Sequence, residues 1–207
     1  MEKKTLIIAV IAVVAIVGAT LRLVNSNSEG TSRGNPKPFE LLGASAAEEA
    51  AKLLNGNGKV VVVMETLEGT KNPNNESQVK GFKTGLVKNK GVTLKEVKEL
   101  KRDMSGDPRL WPDGQADQIA NLGDGAGALV LFFNLPQTLP PKDIATLKGS
   151  KAKILMVGTQ SPLVDSLVAS GVIQVAIVGR TPPKPAPSGT ETPAQWFARV
   201  YTVFKAP

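Results

Sequence analysis

The stretch ILMVGTQSPLVDSLVASGVIQVAIVGRTPP, residues 154–183, contains two apolar runs separated by one amphipathic segment. The runs at 154–157 and 173–178 are continuous rather than alternating, which is typical of strands buried on both faces. Between them, residues 161–170 predict a helix that is followed by a Ser-Gly turn. A strand, a helix and a second strand in this order predict two parallel strands joined by a crossover helix.

The same alternation extends toward both ends of the chain. Predicted strands span residues 60–64, 92–100, 128–133, 154–157 and 173–178, and predicted helices span 46–54, 76–88, 113–122, 141–148, 161–170 and 193–204. Strictly alternating strands and helices predict one doubly wound, Rossmann-like α/β domain of three layers with about five parallel strands. Ligands in such sheets bind beyond the carboxyl ends of the strands, so the loops at that edge are the candidate sites.

The first and last helices of the predicted domain are indicated by short sequence patterns. Ser45 is expected to cap the first helix, with Gly56 just past its end. The last helix is expected to bury its aromatic stripe, Trp196, Phe197 and Phe204, against the sheet.

A hydrophobic segment precedes the domain. Lys3 and Lys4 stand before an uncharged run at residues 5–21, which as a helix spans roughly 25 Å. Residues 1–24 are therefore expected to form either an uncleaved signal anchor, a transmembrane helix, or a cleaved signal peptide. Residues 25–38 are polar and contain Gly and Pro, which predicts a flexible spacer, assigned to residues 25–43, before a domain at 44–207. Either leader predicts an extracytoplasmic, periplasmic-side domain.

Composition excludes several kinds of chemistry. The 207 residues include no cysteine and no histidine, so a disulfide, a Cys/His zinc site and a Ser-His-Asp triad are all impossible. The net charge is +7, but the lysines are scattered and few aromatics lie among them, which argues against nucleic-acid binding. We expect neither an enzyme nor a cofactor.

Four groups of residues resemble one known family. AEEAAKLLNGNGKVVVVME (47–65), SQVKGFKTGL (77–86), ALVLFFN (128–134) and the 154–183 run occur in its order and spacing. Over residues 44–182 the chain resembles the second lobe of type 1 periplasmic sugar-binding proteins and lac-repressor-type sensor domains. The resemblance implies a Rossmann-like lobe that binds a sugar or another small polar ligand.

The resemblance also implies a set of ligand-binding residues. Gln78 stands where the family carries an arginine, and Gln160 where it carries an aspartate. Asn134 matches the family's asparagine, and Arg180 occupies the polar position two residues before the closing proline. Leu135 replaces a further aspartate. The alternative interpretation is that these four are ordinary loop and cap residues beside a site that has been lost.

Two other patterns have plainer interpretations. Asp103, Asp107, Asp113 and Asp117 do not have the spacing of an EF-hand loop, so a turn, a helix start and a solvated face explain them without a metal. The glycines of NLGDGAG precede a strand, whereas a phosphate-binding loop follows one. They indicate the end of a helix and a turn.

Two functions remain open on the sequence. The first is a membrane-tethered, substrate-binding-protein-like domain for a carbohydrate-like or other small polar ligand. The second is a ligand-free structural or protein-interaction domain that kept the fold. Because a single lobe is half of a clamp, a homodimer or a partner protein would supply the other half.

Overall fold

The computed structural model describes residues 37–67, 72–102, 107, 109–188 and 190–207. The predicted leader at residues 1–24 lies outside the described residues, as does most of the predicted spacer. None of the helices in the described part of the chain is both long enough and apolar enough to cross a bilayer.

The described residues form one six-stranded sheet between two layers of helices. Its strands are β1 (Gly58–Leu67), β2 (Val92–Arg102), β3 (Ala128–Phe132), β4 (Lys153–Thr159), β5 (Val175–Gly179) and β6 (Tyr201–Lys205). The helices are α1 (Lys37–Leu53), α2 (Pro73–Val87), α3 (Gln115–Leu122), α4 (Pro141–Lys148), α5 (Pro162–Ala169) and α6 (Pro193–Val200). The strand order is β2-β1-β3-β4-β5-β6.

The five predicted strands are confirmed as parallel neighbours. The register pairs Val60 with Ala128 and Leu155 with Val175, so the most apolar runs of the sequence lie side by side in the interior. Every residue of β3 is buried, which explains why this strand has no polar alternation. The prediction of an α/β domain with a mostly parallel sheet is therefore confirmed.

The last element differs from its prediction. The helix expected over 193–204 ends at Val200, and Tyr201–Lys205 continues as strand β6, which pairs antiparallel with β5. The aromatic stripe is divided accordingly: Phe197 and Tyr201 pack on one face of the sheet, and Phe204 packs on the other. The antiparallel strand covers the edge that β5 would otherwise expose.

The first helix also differs. α1 begins at Lys37, eight residues before the predicted cap at Ser45, so residues 37–43 are helical and not a spacer. Its face of small residues, including Ala46, Ala47 and Ala50, is buried against the sheet. α2 and Phe197 of α6 lie on the same face, whereas α3, α4 and α5 cover the opposite one.

Two glycines set the approach of α1 to α2. A Cβ atom on Gly43 would overlap the backbone carbonyl of Gln78, and one on Gly81 would overlap the backbone carbonyl of Glu40. The two backbones therefore meet where neither helix carries a side chain. Phe82, next to this crossing, packs edge-to-face on Phe132 with ring centroids 6.0 Å apart.

Glu49 ties the first helix to the last strand. It is only 8% exposed, and its carboxylate lies 2.6 Å from Lys52 Nζ and 2.9 Å from Lys205 Nζ. The contact with Lys205 is an ion pair without the angle of a well-formed hydrogen bond. Burial alone would raise the pKa of Glu49, but the two ammonium groups together hold that pKa below its usual value.

The glycine contact gives a stability prediction. We expect Gly81→Ala to lower the free energy of unfolding by about 2 kcal/mol, because the added methyl group meets backbone that cannot rotate away. Urea denaturation of the full chain would measure this change.

Gly149→Ala is the control for the same change without a close backbone contact. Gly149 caps the end of α4 with an ordinary negative φ, whereas Gly81 lies inside α2, and the added methyl group at Gly149 would meet its neighbours at 3.5 Å, an unstrained distance. If both variants unfold at the same urea concentration, the close approach of α1 and α2 does not constrain the fold.

Candidate functional site

The side of the sheet on which successive strands are placed changes between β1 and β3. β2 lies on one side of β1, and β3 to β5 follow in order on the other side. All five parallel strands end at the same edge, where the loops before α2, α3, α4 and α5 begin. This carboxyl edge is where doubly wound sheets bind ligands.

A cleft of about 390 Å³ opens at this edge, beside β4 and β5. It is formed by the end of β4, the first turn of α5, and the residues that follow β5. The lining residues are Thr159, Gln160, Ser161, Pro162, Asp165, Gly179 and Thr181. It lies at the ends of β4 and β5 rather than at the reversal between β1 and β3.

Most of the side chains that line the cleft are polar, and one of them, Asp165, is acidic. Thr159, Gln160, Asp165 and Thr181 are exposed, so their hydroxyl, amide and carboxylate groups are available to solvent or to a ligand. Ser161 is partly committed, because its Oγ accepts a hydrogen bond from the Val164 N–H at 3.3 Å and so caps α5. The set offers neutral donors and acceptors with one carboxylate, which suits a ligand rich in hydroxyl groups.

The four residues expected to bind a ligand do not all meet there. Gln160 lines the cleft. Gln78 lies on α2, where its backbone carbonyl contacts α1, and it is absent from the cleft lining. Its Oε1 is buried without a hydrogen-bond partner among the described residues.

Asn134 makes a contact within the fold. Its Oδ1 accepts a hydrogen bond from the Thr159 N–H at 2.9 Å and so joins the end of β3 to the end of β4. The same oxygen approaches Gly158, where a Cβ atom would come within 2.7 Å of it. Asn134 therefore holds Thr159, one of the lining residues, in place.

Arg180 is held by the backbone of the last two elements. Its Nε donates to the carbonyl oxygens of Tyr201 at 3.0 Å and Ala198 at 3.3 Å, and its own N–H donates to the carbonyl of Val200 at 2.7 Å. These are the carbonyls left without partners where α6 ends and β6 begins. The side chain thus stabilises the junction of a helix and a strand.

The other candidates from the sequence lie elsewhere. Asp107 pairs with Arg109, whose hydrogen bonds lower the pKa of Asp107 to about 2, and Asp117 accepts a hydrogen bond from Thr146. Asp103 is outside the described residues. Within the described ranges, the acidic side chains form no group of three that could hold a metal ion.

Several lining residues were missed by the sequence analysis. Thr159, Ser161, Asp165 and Thr181 were passed over because the candidates were chosen at positions suggested by the resemblance. A purely physical signal was present, since both loops that follow adjacent buried strands are rich in hydroxyl groups.

Comparisons with known proteins show similarity only at the level of structure. No protein-family model and no curated protein matches the sequence. Among solved structures, the XylFII molecule superposes with a TM-score of 0.54 at 18% identity, over 82% of this chain and 61% of that chain. This likeness shows the fold, which is that of a type 1 periplasmic binding protein lobe.

Two further solved structures overlap less. GanP, a glucose-galactose binding protein from Geobacillus stearothermophilus, is 16% identical over 68% of this chain and 47% of its own, with a TM-score of 0.48. A solute binding protein from Burkholderia graminis in complex with D-arabinose is 22% identical over 67% and 46%, also with a TM-score of 0.48. The chain spans about half the length of these two structures.

The contacts of Arg180 predict a structural defect in its absence. We expect Arg180→Met to speed amide hydrogen exchange in residues 193–207, because the carbonyls of Tyr201 and Ala198 lose their shared donor. Exchange in 128–133, at the centre of the sheet, should not change. Hydrogen exchange followed by mass spectrometry of the full chain measures both peptides.

Lys184→Met provides the comparison. Lys184 is an exposed cation in the same segment, and its backbone N–H keeps its bond to the Arg199 carbonyl whatever the side chain. Equal exchange in the two variants would show that the Arg180 side chain does not hold the α6–β6 junction.

Proposed function

We propose that this chain is a substrate-binding-protein-like domain that binds a small polar, carbohydrate-like ligand in the cleft at the ends of β4 and β5. The observation that carries the proposal is the cleft itself, at the carboxyl edge and lined by hydroxyl, amide and carboxylate groups. Gln160 and Asp165 would accept hydrogen bonds from ligand hydroxyls. Charge-assisted bonds from hydroxyls to Asp165 would be the strongest contacts.

The proposed activity is binding without chemical conversion. The chain has no histidine and no cysteine, and the cleft offers a single carboxylate, so a general acid and base pair is missing from its lining. Since the cleft opens at one edge of the sheet, a closed clamp around the ligand would need a second surface facing it.

We further propose that the domain lies outside the cytoplasm and is tethered to the membrane. The support is the run at residues 5–21 with Lys3 and Lys4 before it, because positive residues favour the cytoplasmic side of a membrane segment.

A ligand-free interaction domain is the second candidate. The observation in its favour is that Asn134 and Arg180, two of the positions implied by the resemblance, form their side-chain hydrogen bonds with the protein's own backbone. Under this alternative the fold is retained as a scaffold, and the cleft is a surface depression without a ligand.

Ligand screening separates the two candidates. We expect at least one compound in a panel of pentoses, hexoses and polyols to raise the melting temperature of the full chain. At one hundred times the Kd, binding stabilises the fold by about 2.7 kcal/mol, which for a domain of this size is a shift of roughly 5–10 °C.

Substitutions locate the binding. Asp165→Asn and Gln160→Ala should each remove most of the shift, whereas Asp124→Asn, at the opposite edge of the sheet before β3, should leave it intact. If no compound in the panel shifts the melting temperature, the ligand-free alternative is favoured. A shift that survives both cleft substitutions would place the ligand elsewhere.

The location has its own test. In a bacterial host, the full chain should stay in the membrane fraction, and its domain should be digested by protease added to spheroplasts. A variant without residues 5–21 should remain in the cytoplasm and be protected. Protection of the full chain would contradict the proposed orientation.

A further inference from the structure

Strand β2 is a long edge of the sheet. It pairs with β1 along one side and has no strand on its other side within the part of the chain that the structure describes. An edge strand presents N–H and C=O groups that can pair with another strand. At eleven residues, β2 is also the longest strand among the described elements.

The charges of β2 are arranged symmetrically with opposite sign. Residues 94–100 have the sequence LKEVKEL, with Val97 at its centre. At one and at two residues from Val97, a glutamate on one side matches a lysine on the other. In an antiparallel pair, residues at equal distances from the centre lie opposite each other. A second copy of β2 centred on Val97 therefore places Glu96 of one chain opposite Lys98 of the other, twice.

The orientation of the side chains permits these pairs. In the register with β1, Glu96 lies next to Val61 and Lys98 next to Val63, so both project from the same face of the sheet. Their charged atoms lie 3.6 Å apart within one chain, and both side chains reach solvent. Directly opposite residues of an antiparallel pair also share a face, so the contacts between chains need no change of conformation.

A bulge limits the part of β2 that takes part. The register with β1 shifts between Val60 and Val61, which leaves Lys95 as the extra residue, and its Nζ donates to the Asp124 carbonyl at 2.6 Å. Bulges discourage pairing at sheet edges. Because Glu99 of one copy would lie opposite the bulged Lys95 of the other, the regular pairing about Val97 is carried by residues 96–98 of each strand.

We propose that β2 is a homodimerisation strand through which two copies of this chain pair antiparallel about a two-fold axis at Val97. The charge complementarity of Glu96 and Lys98 selects a second copy of the same chain as the occupant of this edge. The interface is isologous, so each contact occurs twice. The proposal is independent of the proposed ligand and of the cleft.

The symmetry fixes the relation of the two clefts. Because the strands run in opposite directions across the interface, the carboxyl edges of the two sheets point to opposite ends of the dimer. This dimer therefore does not close one cleft with the other, and any second half of a clamp would come from elsewhere.

Cysteine placement tests the axis. The chain has no cysteine, so Val97→Cys introduces a single thiol, which in the dimer lies within about 5.5 Å of its symmetry mate. In Thr93→Cys, the control in the same strand, the two thiols lie about 26 Å apart. Oxidation of the full chain in mild detergent should give a disulfide-linked dimer for Val97→Cys, about tenfold faster than for Thr93→Cys.

Charge exchange tests the pairing itself. Glu96→Lys and Lys98→Glu each turn two attractive contacts into repulsive ones, and each should raise the dimer Kd about tenfold, as measured by sedimentation. The double variant Glu96→Lys/Lys98→Glu restores complementarity and should return the Kd to its original value. Circular dichroism of each variant would establish that the fold is intact.

Three results would overturn the proposal. One is equal crosslinking at positions 97 and 93. Another is a dimer that both single reversals leave unchanged, which would assign association to a different segment such as residues 1–36. The third is a chain that sediments as a monomer at about 100 μM, or that associates only with a different protein. A specific interface of this kind is expected to give dimers at that concentration.

Discussion

The structure depends on the removal of apolar strands from water on both of their faces. All five residues of β3 are buried, and so are residues 60–64 of the neighbouring β1. A sheet with such a centre is stable only if helices cover both faces, and each buried aliphatic side chain contributes roughly 1.5–3 kcal/mol when they do. The alternation of strands and helices follows from this requirement, and so does the single edge at which all the parallel strands end.

The strongest patterns of the sequence predicted this centre correctly, and the errors occur where tertiary contacts decide. Residues 37–43 contain Pro38 and Gly43, which locally suggest a spacer. The segment is helical in the fold because it packs on α2. Gly43 permits this packing, since it has no side chain to collide with the carbonyl of Gln78. Residues 201–205 continue an amphipathic helical pattern, but YTVFK is also rich in the aromatic and β-branched residues that strands favour, and the open side of β5 selects the strand.

The candidate site was predictable in position and only partly in its residues. The rule for parallel sheets identified the loops after β4 and β5, and Gln160 does line the cleft. Arg180 and Asn134 were expected to bind a ligand because they stand at positions implied by the family resemblance. The sequence contains no signal that a guanidinium would bind Tyr201 or that an amide would bind Thr159, because both contacts join residues 20 or more positions apart. Side-chain hydrogen bonds of this kind depend on the packed fold.

The Glu49 cluster has a consequence for the architecture of the chain. A carboxylate on the first helix is shared between a neighbouring lysine and Lys205, two residues before the final proline, so the two ends of the folded domain are clasped by one charge. The clasp requires an ionised carboxylate, and because the pKa of Glu49 is lowered in the fold, the clasp is lost only as the pH falls below the ordinary glutamate range and through that lowered pKa. The antiparallel strand beside β5 would be the first part of the sheet to loosen. Acid would therefore loosen the β6 edge of the sheet, while the buried central strands remain packed.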